Sequence, residues 1–222
     1  MKSTKRKVFA VCLVVLAMTM LIAAKKPKQK VQMLDWKGAA LGQEVPEWVN
    51  KSVESSLAIQ SLPEYKDQYC FVVTIENDNK DFAINWVKNL ANGSSQVSTM
   101  LATTVNSMAE ASVSGKKGQD VDMHFTDVRD AMSNASFKNL RQVADFWIYI
   151  NNKSTKKQYY AAYSLWIVPV KDLNDQIAAN FQNIIDNNKA MSEAERQIYL
   201  DIITDIRTRG IATNVALADS GI

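Results

Sequence analysis

Two side chains in this sequence carry strong intrinsic chemistry. They are Cys70, the one cysteine beyond residue 24, and His124, the one histidine. A cysteine nucleophile acts as its thiolate and needs a base within reach. Cys70 lies in the apolar run Tyr69-Cys70-Phe71-Val72-Val73, where a buried, inert thiol is expected. His124 ends Asp120-Val121-Asp122-Met123-His124, with Asp127 just beyond. In an extended segment this alternation puts Asp120, Asp122 and His124 on one side. That is the pattern of a weak cation site and also of a solvated loop face, and the loop face is the expectation. One histidine and one cysteine cannot build a typical zinc site.

The other chemical signals are weaker. Glu44, Glu47 and Glu54 cluster near the start of the ordered region and Glu110 falls late on a helix, but no partner follows from spacing. Ser114-Gly115-Lys116-Lys117-Gly118 has the composition of a phosphate loop without the G-x-x-x-x-G-K-[ST] spacing, so an exposed loop is expected. A G-x-S-x-G elbow and a dinucleotide fingerprint are lacking as well. The sequence therefore predicts a non-enzyme, with no catalytic, cofactor-binding or metal-ligating residue and no cofactor. Trp147, Tyr149, Tyr160, Tyr163 and Trp166 all fall on one predicted hairpin. They could line a ligand wall, but a core and partner-facing sheet is the commoner use of such residues. Asn50, Asn92, Asn134 and Asn152 match the short glycosylation sequon, which matters only in a host that glycosylates.

The elements that would position these residues can be read from periodicity. Residues 25–44 are charged, contain Gly38 and Gly42, and read as a flexible tail. Pro46-Glu47-Trp48-Val49 opens the ordered region, with Pro suited to a first helical position and Trp48 to a core. Ser61-Leu62-Pro63-Glu64 marks a turn. Residues 69–76, 146–150 and 159–168 read as strands, the last two joined by a polar loop over 151–157. Phe82, Trp86, Val87 and Leu90, then Val97, Leu101, Val105 and Met108, recur at helical spacing. They predict one long helix from about 81 to 113, kinked or interrupted at Asn92-Gly93-Ser94-Ser95. Its other face is expected to be polar: Ser98, Thr99, Thr103, Thr104 and Asn106. Phe125 to Ala135 reads as a short helix.

Pro169 ends the last strand. Asp172 or Asn174 is expected to cap a helix bearing Leu173, Ile177, Phe181, Ile184 and Ile185. Ser192 and Glu195 form a capping-box signature. The box opens a final helix with Ile198, Ile202, Ile203 and Ile206, closed by Arg207, Arg209 and Gly210. The order predicts an α+β fold: a three-stranded antiparallel sheet with a long helix packed on one face, plus C-terminal helices. A single domain over 45–210 and a loose tail over 211–222 complete it.

The address is written at the N-terminus. Lys2, Lys5, Arg6 and Lys7 precede Val8–Ala24, a run without charge that ends Ile22-Ala23-Ala24. This is the layout of a secretory leader over 1–24, with cleavage expected after Ala24. Residues 8–24 could instead stay as an anchor. They would form a helix of about 25 Å at roughly 1.5 Å per residue, against a hydrocarbon core of about 30 Å. Lys25, Lys26, Lys28 and Lys30 follow at once and weigh toward the anchor. Cys12 lacks the Leu and small residue that usually precede a lipidated cysteine. The chain has 26 basic and 23 acidic residues, and the leader holds four of the basic ones. Its net charge is thus largely a leader property, and nucleic acid is not an expected partner.

From Pro46-Glu47-Trp48-Val49 onward the chain resembles the bacterial LPP-twenty lipoprotein family. The echoes are Val45 to Val49, the helix Phe82 to Ala111, Phe146-Trp147-Ile148-Tyr149 with Tyr160-Ala161-Ala162-Tyr163, and Asp172-Leu173-Asn174-Asp175-Gln176-Ile177. They cover about residues 45–188 and lie in order and texture. The resemblance implies a small dodecin-like α+β domain at the cell envelope and carries over no catalytic residue. The chain departs from it in lacking a good lipobox and in adding the helix Ser192 to Arg209. The expectation is an exported bacterial cell-envelope protein of non-catalytic type, in the periplasm or held at the membrane by residues 8–24. It would act by contact with another envelope protein or by self-association. The alternative is a periplasmic small-molecule-binding protein that uses the aromatic hairpin.

Overall fold

The computed structural model describes residues 31–52, 55–113, 132 and 137–211. These fall into two compact units, 31–32 with 151–157 and 33–150 with 158–211. In the small unit the hairpin turns over residues 153–156. The Asn152 side-chain oxygen accepts from the backbone N–H groups of Ser154 and Thr155, and Lys156 takes a left-handed φ of 56°. The predicted polar loop is thus an Asx-type turn.

The fold is mixed α/β around an antiparallel sheet. Among the described residues its strands are β1 (Val31–Trp36), β2 (Gln68–Asn77), β3 (Arg141–Asn152) and β4 (Lys157–Pro169). They lie in the order β1-β3-β4-β2. The expected three strands are all present, and the sheet has a fourth. β1 had been expected as part of the flexible tail because its side chains are exposed along almost its whole length, leaving no buried face to create an alternating pattern. It is held by pairing at the sheet edge. At its end the Trp36 indole N–H donates to the Gln43 carbonyl at 2.7 Å, and Lys37 pairs with Asp145 at 2.7 Å.

β2 and β4 pair antiparallel from Gln68↔Pro169 to Asn77↔Tyr160. Their register sorts the side chains onto two faces. Tyr69, Phe71, Val73, Trp166 and Val168 join one core cluster, while Cys70, Leu165 and Ile167 join another. Both faces are therefore dry, as the bulky residues on both sides of β4 require.

Six α-helices are present among the described residues: α1 (Glu47–Ser52), α2 (Ser56–Gln60), α3 (Lys80–Lys88), α4 (Leu90–Val113), α5 (Val170–Asn187) and α6 (Glu193–Arg209). α1 and α2 close the Cys70 face with Trp48, Val49 and Ile59. The sheet thus has helices on both faces, with the expected long helix on one of them. α4 covers the opposite face with Val97, Leu101, Val105 and Met108, joined by Leu173, Ile177 and Phe181 of α5 and the isoleucines of α6.

The predicted long helix is broken one turn earlier than its sequence suggests. Asn89 takes an extended ψ of 110°, and its side-chain oxygen accepts from the N–H groups of Ala91 and Asn92. Asn89 is therefore the cap of α4, a role for which its short amide is well suited. Gly93 lies inside α4, and a Cβ there would overlap the Trp166 indole. The glycine serves close helix–sheet packing, not a kink. Two residues of the expected polar face, Ser98 and Thr104, are buried. The Thr104 hydroxyl donates back to the Met100 carbonyl, which lets it pack inside.

β4 runs straight into α5. Pro169 is the N-cap residue without a side-chain bond, so neither Asp172 nor Asn174 caps that helix. Asn174 is buried and accepts a hydrogen bond from the Tyr69 hydroxyl at 3.0 Å. The same hydroxyl accepts from the Ile211 N–H at 2.9 Å. Ile211, expected as the first residue of a loose tail, is fully buried through this tether. The capping box is formed: Glu195 N–H donates to Ser192 Oγ, and Ser192 N–H donates to the Glu195 carboxylate.

Candidate functional site

Cys70 belongs to β2 and points into the cluster built by α1 and α2. It is 1% exposed, and burial pushes its thiol up to about 12. A thiol so placed is protonated at neutral pH and out of reach of substrate. His124, Asp120, Asp122 and Asp127 lie outside the described residues, as do Ser114-Gly115-Lys116-Lys117-Gly118 and Glu54. Most of the expected helix over 125–135 does too, although Met132 is helical and buried. Glu44 and Glu47 are exposed, and exposed Glu110 accepts from the Asn106 side-chain amide at 2.6 Å, an ordinary pair one helical turn apart. Among the described residues, no group of three or more His, Cys, Asp or Glu stands close enough to hold a metal ion.

The aromatic residues of the hairpin divide between three places. Trp166 is buried beneath Gly93, with its indole N–H donating to Ser164 Oγ at 3.0 Å. Tyr159 and Tyr163 pack on the Cys70 face. Trp147, Tyr149 and Tyr160 gather on the opposite face beside α3. Tyr149 stacks on Tyr160 with ring centres 4.5 Å apart, and Trp147 meets Tyr160 edge-on at 6.0 Å. The Lys80 ammonium, at the first turn of α3, lies 3.8 Å from the Trp147 ring centre. A cation over an aromatic face is attracted by the ring quadrupole. The cation of this ledge is supplied by the chain itself. Sequence periodicity located the aromatics but did not bring Lys80 to them, since that contact depends on how α3 crosses the strands.

A cavity of about 680 Å³ opens at the other end of β4, lined by Asp67, Gln68, Pro169, Val170, Lys171, Asn174, Asp175 and Arg207. That volume suits a small molecule. No hairpin aromatic ring lines it, and Lys171 is already paired with Asp175 one turn along α5. The volume and the aromatic surface expected of a ligand site therefore occur at separate places.

Apolar side chains stand in solvent elsewhere. Phe82 on α3 is 51% exposed and Leu90, at the start of α4, is 63% exposed, with the half-buried Trp86 between them in sequence. Leu41, in a short turn after β1, is 80% exposed. The sequence treated Phe82 and Leu90 as core because they fit the helical stripe. Leu90 starts a new helix after the Asn89 break, so the stripe read over 82–90 does not run on unbroken.

The fold defines a class: a four-stranded antiparallel α+β domain with helices on both faces of its sheet and exposed apolar side chains on its surface. No protein-family model, curated protein or solved structure matches the chain.

Proposed function

We propose that this chain is an exported bacterial cell-envelope protein of non-catalytic type that acts through protein–protein contact or self-association. The observation that carries the contact reading is the exposure of Phe82 and Leu90 on either side of the Asn89 break. Large apolar side chains held in solvent by rigid helices favour burial against a partner. Export is supported by the basic, then apolar, then small-residue layout of residues 1–24. Membership of the LPP-twenty family and a dodecin-like core are part of the same reading. The order β2, α3–α4, β3, β4 and the long helix across the sheet support the second. The buried thiol of Cys70 supports a structural role for the one cysteine of the described residues.

A photo-crosslinking residue at position 82, in cells with an intact envelope, tests the contact. A discrete crosslinked species is expected, containing either a second copy of this chain or one envelope protein. It should be lost when Leu90 is replaced by Ser. Uniform absence of crosslinks at 82 and 90, with the protein folded, contradicts it.

A further inference from the structure

The cavity at the junction of β4 and α5 presents hydrogen-bonding groups that the fold leaves unused. Its volume of about 680 Å³ lies in the range of small-molecule sites. Asn174 lines it and is 8% exposed. The orientation of its amide is fixed from behind. The Tyr69 hydroxyl accepts from the Ile211 N–H and gives its one proton to Asn174 Oδ1. The Nδ2 donors are thereby turned away from Tyr69, and none of the described residues accepts from them. The Nδ2 atom is not sealed off, and the cavity is the open space that Asn174 lines. An amide donor so deeply buried is costly to leave unmet, and the cavity is where an acceptor can enter.

The groups around Asn174 indicate which acceptor. α5 starts at the cavity with Val170, after Pro169, and no side chain caps it. Its first turn therefore keeps unbonded N–H groups and the positive end of the helix dipole. Asp172, the acid of that turn, accepts from the Asn139 amide at 2.7 Å and does not line the cavity. Lys171 and Asp175 neutralise each other as an ion pair. Arg207 and Asp67 also line the cavity, and neither has an ion-pair partner among the described residues. The Val170 N–H donates to the Asp67 carbonyl at 3.0 Å, which holds Asp67 beside the start of α5. A purely anionic ligand would meet the Asp67 carboxylate, and a purely cationic one would meet Arg207. A ligand carrying both charges satisfies both groups. We propose that this cavity binds a small zwitterion of the amino-acid or short-peptide class. Its carboxylate is taken by Arg207, Asn174 Nδ2 and the first turn of α5, and its ammonium by Asp67. Pro169 and Val170 give a small apolar side chain a wall to rest on. Neither Phe82 nor Leu90 lines the cavity, so the site goes beyond the contact reading and does not depend on it.

The test is a titration of the full chain followed by the nitrogen-15 NMR signals of the Asn174 side-chain amide and the Arg207 Nε–H. The probes are L-alanine, L-alanyl-L-alanine, and the same dipeptide either N-acetylated or C-amidated. Saturable shifts of both signals are expected with L-alanine or with the free dipeptide, and the tighter of the two identifies the source. Each blocked dipeptide should bind about tenfold or more weaker, as should the free one to Arg207→Gln and to Asp67→Asn, since each change removes one charged hydrogen bond. Both substitutions are at exposed positions, and Asn tolerates the left-handed φ of 60° that Asp67 adopts, so the fold is kept. Equal affinity for the acetylated and free dipeptides overturns the zwitterion and leaves a simple carboxylate site. Saturable shifts at Trp147 with Asn174 unmoved overturn the location and assign binding to the aromatic hairpin. Absence of saturation with both free probes overturns the proposal.

Discussion

Cys70 and Tyr69 are neighbours on β2 that point to opposite faces, and each fixes its own layer. Cys70 fills the α1–α2 side, where burial holds its thiol protonated up to about 12. In the unfolded chain it would ionise near its ordinary 9.0. A raised folded value means stability is fully present below pH 9 and is lost as pH rises from 9 toward 12. Burial raises Tyr65 and Tyr163 as well, with the same sign. Cys70→Ala should therefore flatten part of the alkaline loss of stability, read by urea melts at stepped pH. The native thiol should label slowly at pH 8 and quickly in denaturant; fast native labelling would contradict its burial. Tyr69 ties α5 and the end of α6 to the sheet through Asn174 and Ile211. Tyr69→Phe leaves two buried polar groups without their partner, at about 1–3 kcal/mol each by the cost of unsatisfied buried groups. Denaturant unfolding should show a loss of that order. The sequence placed both residues on a strand correctly, but the Tyr69 network joins groups 105 and 142 residues apart, which no local pattern encodes.

At the scale of elements, legibility followed the locality of the signal. Ser192 and Glu195 are three residues apart, and their capping box forms as read. Ser192→Ala should cost about 1 kcal/mol, seen as a lowered denaturation midpoint with unchanged slope. The α3–α4 break was misplaced because Gly93 looked like a helix interruption, whereas Asn89 performs it and Gly93 makes room for Trp166. Gly93→Ala tests this directly. In an open helix it would gain up to about 1 kcal/mol of propensity. Here the new methyl meets a rigid indole, and overpacking costs about 1–3 kcal/mol. Net destabilisation is expected, and Trp166→Leu in the same chain should relieve it. A stabilised single variant would show that the helix does not approach the sheet as described.

For the whole molecule, β3, β4 and β2 were legible as aromatic and β-branched runs bounded by turn residues, and β1 was not because its side chains stay in solvent. The cover of both sheet faces was implicit in the bulky residues on both sides of β4, while the cover supplied by α1 and α2 depended on short helices with weak periodicity. Lys80 reached Trp147, and Phe82 and Leu90 reached the surface, through helix placement, which only tertiary packing sets. The proposed function therefore rests on the residue layout of 1–24 and on the apolar side chains that the fold exposes. The most direct test of its central claim is to fractionate cells and determine the N-terminal residue of the chain in each fraction. The account predicts the protein in the periplasm or envelope, beginning at Lys25. A chain beginning at Met1 in the envelope would replace cleavage by anchoring, and a chain found in the cytosol would contradict the account.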